Sequence, residues 1–207
     1  MAQARVQSSS FRLLRAPVDA IIVMCTTKAN YWAEFVVDAA LVVVLCMAGW
    51  RLEKGYVPGI CLAFLLGLLL YTLIEYIFHR WLFHTGLPWF ADGHQKHHED
   101  PLGYDSLPFF LPALVSLGLS GVYMAVLPVG YALLVAAAVT FGYMTYGLSH
   151  FTIHRVRFRQ PWIQGWAAAH HIHHYHPDRN FGVTTPLWDI LLGTRYVRRS
   201  TTRANPA

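Results

Sequence analysis

Charged side chains are scarce in this sequence. Only 13% of its 207 residues are Asp, Glu, Lys or Arg, whereas 55% are hydrophobic. Soluble domains carry about 25% charged residues and about 45–50% apolar ones. The shortage of charge therefore disfavours a soluble protein and indicates a protein of the membrane, and the length fits a single unit.

Cysteine is nearly absent as well, and two further signals are missing. Cys25, Cys46 and Cys61 lie in apolar surroundings, are odd in number and lack C-x-x-C spacing, which excludes a disulfide framework and a thiolate metal site. The basic N-terminus lacks an apolar core followed by a small-residue cleavage site, so we expect no removed secretory signal. Despite the net charge of +5, no nucleic-acid-binding signature accompanies the basic residues, and we expect no nucleic-acid partner.

Four apolar runs are candidates for crossing a bilayer, which takes about twenty residues. They are Phe35–Trp50, Val57–Phe78, Leu107–Leu127 and Val129–Ser149. The first run is shorter and carries Asp38, so whether it spans the bilayer fully stays open. Short connections with turn residues join the first run to the second and the third to the fourth. The runs therefore predict two helical hairpins.

The polar remainder of the chain predicts a cap on one side of the membrane. The two hairpin loops hold Arg51 and Lys54, which leaves fourteen of the sixteen Lys and Arg on the opposite side. The positive-inside bias places that side in the cytoplasm. We expect an all-α integral membrane protein of four transmembrane helices under a cytosolic helical cap. Residues 1–34 are predicted to be a cytosolic or interfacial segment, and residues 35–207 the membrane-bound domain.

All twelve histidines fall in four clusters on the predicted cytoplasmic side. The clusters cover residues 79–84, 94–98, 150–154 and 170–176. Ten of the histidines form spaced boxes, and we predict that these ten are metal ligands: His79, His84, His94, His97, His98, His150, His154, His170, His173 and His174. His171 and His176 do not lie on the face of the last box, and we interpret them as outer or surface residues.

Helical geometry decides how these boxes can act. His150 and His154 are four residues apart, so they share a helix face. Each x2-His-His box can present its three imidazoles on one face if the segment is helical. His79 and His84 are about 140° apart on an ideal helix at roughly 100° per residue, so His84 either lies past a helix end or binds a different ion. The spacing leaves both alternatives open.

Ten imidazoles exceed the needs of one ion. First-row metals in nitrogen-rich sites take about six ligands at most, so two ions with about five ligands each is the economical interpretation. Each ion would keep roughly one open position, as dioxygen chemistry requires. Imidazole suits iron, copper and zinc alike, so the ligand type does not name the metal.

Two carboxylates accompany the histidines. Glu75 lies one turn before His79 within an apolar run, where an unpaired carboxylate is costly. It could accept the outer N–H of a ligating histidine or form a salt bridge to Arg80 or Arg155. Asp189 could act in the same way or cap the short helix that follows, and we favour the cap.

The boxes match a known pattern. Between Leu73 and Thr194 the sequence resembles the fatty acid hydroxylase and sterol desaturase superfamily. The segment Glu75-Tyr-Ile-Phe-His79-Arg-Trp-Leu-Phe-His84 is similar to the first histidine box of fatty acid 2-hydroxylases, and the order of the later boxes is also theirs. The tail from Phe181 to Thr194 is similar to the segment after the last box in both branches. Gly147 stands where those enzymes lead us to expect an acidic residue.

The resemblance implies a function and its cofactors. It implies two iron ions held by the ten box histidines, dioxygen as co-substrate, and hydroxylation of an acyl chain next to its carboxyl carbon; zinc could occupy the site in a purified form. We expect a separate electron donor of cytochrome b5 or ferredoxin type, and a location in a bacterial inner membrane or the endoplasmic reticulum with the metals facing the cytoplasm. The alternatives are a carotenoid ring hydroxylase, a sterol-desaturase-like oxidase and, outside the oxygenases, a metal-ion transporter or zinc hydrolase.

Overall fold

The structure is a computed structural model that describes residues 19–198, and the predictions on the first eighteen residues lie outside it. The described part contains helices and no strands, as the sequence predicts. Seven helices are labelled here in chain order: α1 (Lys28–Leu52), α2 (Val57–Ile77), α3 (Pro88–Glu99), α4 (Leu111–Met124), α5 (Val129–Arg155), α6 (Pro161–Tyr175) and α7 (Leu187–Leu191). A π-helical segment, Phe78–Phe83, continues α2.

Helix α1 begins earlier than its apolar run suggests. Thr27 caps it, because the Thr27 side chain accepts a hydrogen bond from the backbone N–H of Asn30 at 3.2 Å. The helix ends at Leu52, where Lys54 and Gly55 take positive φ angles of 50° and 72°. The short run Phe35–Trp50 is thus the centre of a 25-residue helix, which has the length needed to cross a bilayer.

Three helical stretches are long and apolar enough to cross a membrane. They are Lys28–Leu52, Val57–Phe83 and Val129–Arg155. Only 17% of the most apolar part of the first two is buried inside the protein, against 50% for the third. Apolar surface exposed on this scale is stable in lipid and not in water. The first two helices therefore present their outer faces to the bilayer, and α5 lies among its neighbours.

Helix α4 is shorter than the apolar run that predicts it. The run covers Leu107–Leu127, but the helix covers the 14 residues Leu111–Met124, which is about 21 Å at 1.5 Å per residue. Pro108 and Pro112 keep the helix from beginning earlier, since proline lacks the N–H that a helix interior needs. A hydrocarbon core is about 30 Å thick, so α4 is less than a full span by itself.

Helix α5 is the centre of the bundle and packs against α1, α2 and α4. Small side chains allow this close approach, and Ala132, Ala136, Ala137 and Ala138 are completely or almost completely buried. A buried hydrogen bond of 2.6 Å joins the Ser116 and Thr140 hydroxyls of α4 and α5. The central helix fixes the position of His150 and His154, which lie in its last two turns.

The crossing of α2 and α5 gives a prediction for stability. A Cβ atom added at Gly67 would lie 2.6 Å from Ala138 Cβ and 2.8 Å from the Val135 carbonyl oxygen. Gly67→Val is therefore expected to force the helices apart and to cost about 1–3 kcal/mol, measured as a lower thermal unfolding midpoint in detergent. The control is Gly118→Val on α4, where an added Cβ meets no atom within 4 Å. Equal midpoints for the two variants would refute the packing argument.

Candidate metal centre

The ten box histidines converge at one end of the bundle. His79 lies in the π-helical segment and His84 directly after it; α3, the last turns of α5, and α6 supply the others. Nine of them form two groups in which one ligand atom per residue lies within 4.8 Å of all the others. The first group is His97, His150, His154, His170 and His174; the second group is His79, His84, His94 and His173.

The tenth histidine, His98, adjoins the second group. Its Nε2 lies 3.0 Å from His94 Nε2. Its ring also stacks on His174 of the first group, with centroids 4.3 Å apart. His98 therefore extends the second group to five rings and stands where the two groups meet.

The structure divides each three-histidine box between the two groups, which differs from the single-face arrangement that the spacing suggests. On α3, His94 and His98 adjoin one group and His97 the other. On α6, His170 and His174 belong to the first group and His173 to the second. The reason is that residues four apart lie nearly in line on a helix, whereas the residue three along lies on the flank of that line. Each box can thus face two centres at once.

The π-helical segment decides the question that the five-residue spacing of His79 and His84 leaves open. A π-helix has a wider turn with i to i+5 hydrogen bonds, so residues five apart come to one side. The two rings lie 5.4 Å apart between centroids and 22° from parallel, and both belong to the second group. An α-helix would have separated them by about 140°.

The nitrogen atoms within each group are spaced like neighbouring ligands of one ion. His94 Nε2 lies 3.1 Å from His79 Nε2 and 3.2 Å from His84 Nε2, and His170 Nε2 lies 3.0 Å from His154 Nε2. Bonds of about 2.0–2.1 Å from a metal to two nitrogens at a right angle give about 3 Å between the nitrogens. The buried Nε2 atoms of His97 and His150 have no hydrogen-bond partner. The donor set therefore fits two metal ions.

Burial keeps the imidazoles outside the membrane helices neutral. It lowers the pKa of His84 to about 4 and the pKa values of His97, His173 and His174 to about 3. Neighbouring imidazoles act in the same direction, because each disfavours a second positive charge nearby. A metal ion binds the neutral form, so the site does not need to lose protons at neutral pH before metal binds.

Backbone carbonyls orient two rings of the second group. His79 Nδ1 lies 2.5 Å from the Phe181 carbonyl oxygen, and His173 Nδ1 lies 2.7 Å from the Arg179 carbonyl oxygen. Each ring donates its Nδ1–H there and directs Nε2 into the group, which is the outer hydrogen bond typical of metal-ligating histidine. Asn180 stands between the two carbonyls with φ +55°, a conformation that Asn adopts more easily than most residues.

Two buried carboxylates hold the loop that carries the Phe181 carbonyl. Glu75 accepts hydrogen bonds from the backbone N–H groups of Val183 and Thr184 at 2.6 and 2.9 Å, and from the Thr184 hydroxyl at 2.5 Å. Asp189 accepts from the N–H groups of Phe181 and Gly182 at 2.9 and 2.8 Å. The loop is thus anchored on both sides of the carbonyl that receives His79.

These contacts differ from what the sequence suggests for both acids. Glu75 supports His79 through the loop, and its described hydrogen bonds go to neither a histidine ring nor Arg80 or Arg155. Asp189 lies inside α7, so the helix-cap prediction is wrong; the N-cap is Pro186. The sequence could not indicate the carbonyls of Arg179 and Phe181, because a backbone group carries no residue signature. Asn180, a residue type that tolerates a left-handed backbone conformation, is the one sequence signal for the turn that presents these carbonyls.

His171 and His176 belong to neither group, although the His171 ring lies beside that of His154, with centroids 5.5 Å apart. Both are exposed, and His176 stacks on Tyr196 with centroids 4.7 Å apart. His171→Ala and His176→Ala are therefore expected to keep the full metal content of the wild-type chain, measured by elemental analysis of the purified protein. Loss of metal from either variant would contradict the assignment of these two side chains to the surface.

The sequence profile of the fatty acid hydroxylases matches residues 64–194, a range that contains all ten box histidines and the loop that orients them. The chain belongs to the fatty acid hydroxylase family. The resemblance seen in the boxes is thereby confirmed, and hydroxylases of this family are oxidoreductases.

Individual relatives agree with the family assignment. The chain is 32% identical to the fatty acid 2-hydroxylase of Macaca fascicularis over 159 residues, which is 68% of this chain and 40% of that protein. It is 29% identical to the dihydroceramide fatty acyl 2-hydroxylase FAH2 of Arabidopsis thaliana over 81% of this chain and 74% of that protein. The solved structure of full-length scs7p, in which only the hydroxylase domain is visible, superposes with a TM-score of 0.72 and 28% identity, covering 84% of this chain and 69% of that one.

Proposed function

We propose that this fatty acid hydroxylase inserts one oxygen atom into the acyl chain of a membrane lipid at C2, using two iron ions, dioxygen and electrons from a separate carrier. The observation that carries the proposal is the convergence of ten imidazoles into two adjoining groups at one end of apolar helices. Imidazole-rich sites suit iron, and five imidazoles in each group leave about one of roughly six positions on each ion for dioxygen.

The chemistry is that of a monooxygenase. When bound, the irons supply the oxidation of a C–H bond by dioxygen: one oxygen atom enters the lipid, and the other leaves as water after uptake of two electrons and two protons. The electrons come from outside the chain, and a carrier of cytochrome b5 or ferredoxin type is the class that we propose.

The chain's own residues hold the centre and bury part of it. His79 and His173 are 1% and 0% exposed, and the loop carbonyls fix their rings. Tyr146 stacks on His150 with centroids 5.5 Å apart and planes 10° apart, which limits the movement of that ring. A lipid carbon held beside such fixed ligands reacts at one position, since small displacements from the reactive geometry cost much of the rate.

We also propose how the chain lies in the membrane. Helices α1, α2 and α5 cross it, and α4 completes a second hairpin with α5, so that residues 35–207 form the catalytic domain. Helices α3, α6 and α7 form the cap, on the side that the excess of Lys and Arg assigns to the cytoplasm. The membrane is a bacterial inner membrane or that of the endoplasmic reticulum.

The relatives favour an acyl substrate over the other lipids that the family's chemistry suits. The names of the macaque and Arabidopsis proteins specify hydroxylation of fatty acyl chains at the second carbon, whereas sterol and carotenoid oxidation appear in neither. A metal transporter is disfavoured because its ligands should follow a path through the bilayer. Here the imidazoles collect in two groups.

The experiment is to purify the full chain anaerobically with iron, add a chemical reductant, dioxygen and membrane lipid extract, and follow lipid masses. We expect lipids heavier by one oxygen atom, with the hydroxyl located at C2 by fragmentation. Lipids that lose two hydrogens instead would show a desaturase. An absence of any oxygen-dependent product from an iron-loaded preparation would refute the proposal.

A further inference from the structure

Helix α7 has an outer face that the described part of the chain leaves uncovered. Leu187, Ile190, Leu191 and Leu192 are all exposed, and Leu191 is 64% exposed. A patch of adjacent apolar side chains is unusual on a surface that meets water, and it marks a surface that meets lipid or another protein. The position of α7 relative to the bilayer distinguishes these two cases.

Two hydrogen bonds place α7 beside the membrane-spanning part of α2. The Trp188 indole N–H donates to the Thr72 hydroxyl at 3.0 Å. Thr194, which follows α7, shares a hydrogen bond of 3.0 Å with the Tyr76 hydroxyl. Thr72 and Tyr76 both belong to Val57–Phe83, a stretch that is long and apolar enough to cross a membrane. Helix α7 is therefore attached to a part of α2 that lies in the bilayer.

The depth of this attachment follows from helix geometry. Thr72 lies seven residues before His79, which is about 10 Å along the helix axis, away from the metal centre and toward the middle of the membrane. Helix α2 also exposes apolar side chains on either side of Thr72 along the sequence, among them Leu69 and Ile77. The outer face of α7 thus continues a surface that meets lipid.

The inner face of α7 fixes the direction of the outer one. Asp189 is buried, and its carboxylate accepts hydrogen bonds from the Phe181 and Gly182 N–H groups and from the Thr194 hydroxyl, the last at 2.6 Å. Helix α7 cannot turn about its axis without breaking these bonds. Its exposed apolar side chains therefore stay on the outside.

Basic side chains follow the apolar ones along the chain. Arg195 and Arg198 are exposed, and neither forms an ion pair with another described residue. Apolar side chains next to arginines suit the edge of a bilayer, since the arginines reach the anionic lipid phosphates. A protein partner fits less well, because a stable interface between proteins buries at least about 1,200 Å² in total and α7 has only five residues.

We propose that α7, the part of the cap beside α2, is inserted into the cytoplasmic leaflet, with Leu187, Ile190 and Leu191 among the acyl chains and Arg195 at the headgroups. The partner of this surface is the lipid bilayer. The inference rests on the membrane arrangement given under the proposed function, and it adds a membrane contact that is not a spanning helix. The helix that enters the lipid also holds the loop that orients His79.

The test measures the depth of α7 with a nitroxide label. The full chain, with alanine in place of Cys25, Cys46 and Cys61, is loaded with zinc and reconstituted in vesicles of phosphatidylcholine and phosphatidylglycerol. Leu191→Cys is labelled, and relaxation of the label is measured with dioxygen, which concentrates in lipid, and with a neutral nickel chelate, which stays in water. We expect high access to dioxygen, little access to nickel, and a depth of about 5–10 Å, as is usual for an interfacial helix.

Two other labelled positions calibrate the measurement. Leu65→Cys, on the exposed face of α2, should report lipid, and Asp178→Cys, whose side chain is 71% exposed, should report water. Ile190→Cys is a second reporter on α7 and should agree with Leu191→Cys. Thermal unfolding and zinc content of every labelled variant show that the fold and the centre are intact.

The outcomes separate this contact from the proposed function. Nickel access at both α7 positions equal to that at Asp178→Cys overturns the insertion, even if the iron-loaded chain hydroxylates lipids. Low access to both reagents shows that protein, such as a second copy of the chain, covers α7, and it overturns the insertion as well. A water-like Leu65→Cys refutes the proposed position of α2 and the insertion with it. Lipid-like labels on both helices support the insertion, whatever the iron-loaded chain oxidises.

Discussion

His97→Ala is expected to lose one metal ion and nearly all product formation. His97 is the one residue of α3 in the first histidine group, and its buried Nε2 has no hydrogen-bond partner among the described residues, so it is free to bind a metal ion. A change outside the ligand shell typically costs 10–100-fold in metal affinity or activity, so removal of a ligand should cost more than about 100-fold. Metal content and lipid mass measure the two effects.

His173→Ala is the counterpart, because it removes the one imidazole that α6 contributes to the second group. Each variant should retain about one ion where the wild type holds about two. His171→Ala, the same change beside the same box, is the control and should retain both. If His97→Ala and His173→Ala kept the wild-type metal content and activity, the two-group assignment would be wrong.

Glu75→Leu is expected to damage both the fold and the metal centre. It leaves two backbone N–H groups and the Thr184 hydroxyl without their acceptor, at about 1–3 kcal/mol for each buried group. The loop that orients His79 then loses one of its two anchors. We expect a thermal unfolding midpoint lowered by more than about 5 °C and at least about tenfold weaker metal binding, measured in detergent and by competition with a chelator.

Glu75→Gln separates charge from shape in this prediction. The amide oxygen can still accept from the loop, so this variant should fall between Glu75→Leu and the wild type in both stability and metal affinity. Thr184→Val, which removes only the hydroxyl, should have a smaller effect than Glu75→Leu. A Glu75→Leu variant with wild-type metal affinity would show that the loop does not position His79.

Much of the candidate site follows from the sequence because its signals are local. Boxes of histidine at helical spacing place His150 and His154, and His170 and His174, on common faces, and the structure gathers them as pairs. Long apolar runs predict α1, α2 and α5 in the same direct way, although only the helix cap at Thr27 reveals where α1 begins.

The parts that the sequence could not predict depend on backbone geometry and on distant contacts. A π-helical segment brings His79 and His84 together, but the residues from Phe78 to Phe83 carry no pattern that distinguishes it from an α-helix. The contact of Glu75 with Val183 joins residues 108 positions apart, which no local periodicity reports. The prolines at its start make α4 shorter than its apolar run, and a count of apolar residues does not reveal this.

The origin of the oxygen atom is the most direct test of the central claim that the two histidine groups hold metals that oxidise a lipid with dioxygen. The iron-loaded chain is supplied with reductant, lipid and dioxygen enriched in the heavy oxygen isotope, and the hydroxylated lipid is analysed by mass spectrometry. We expect one labelled oxygen atom in each new hydroxyl group at C2. A hydroxyl oxygen derived from water would contradict it.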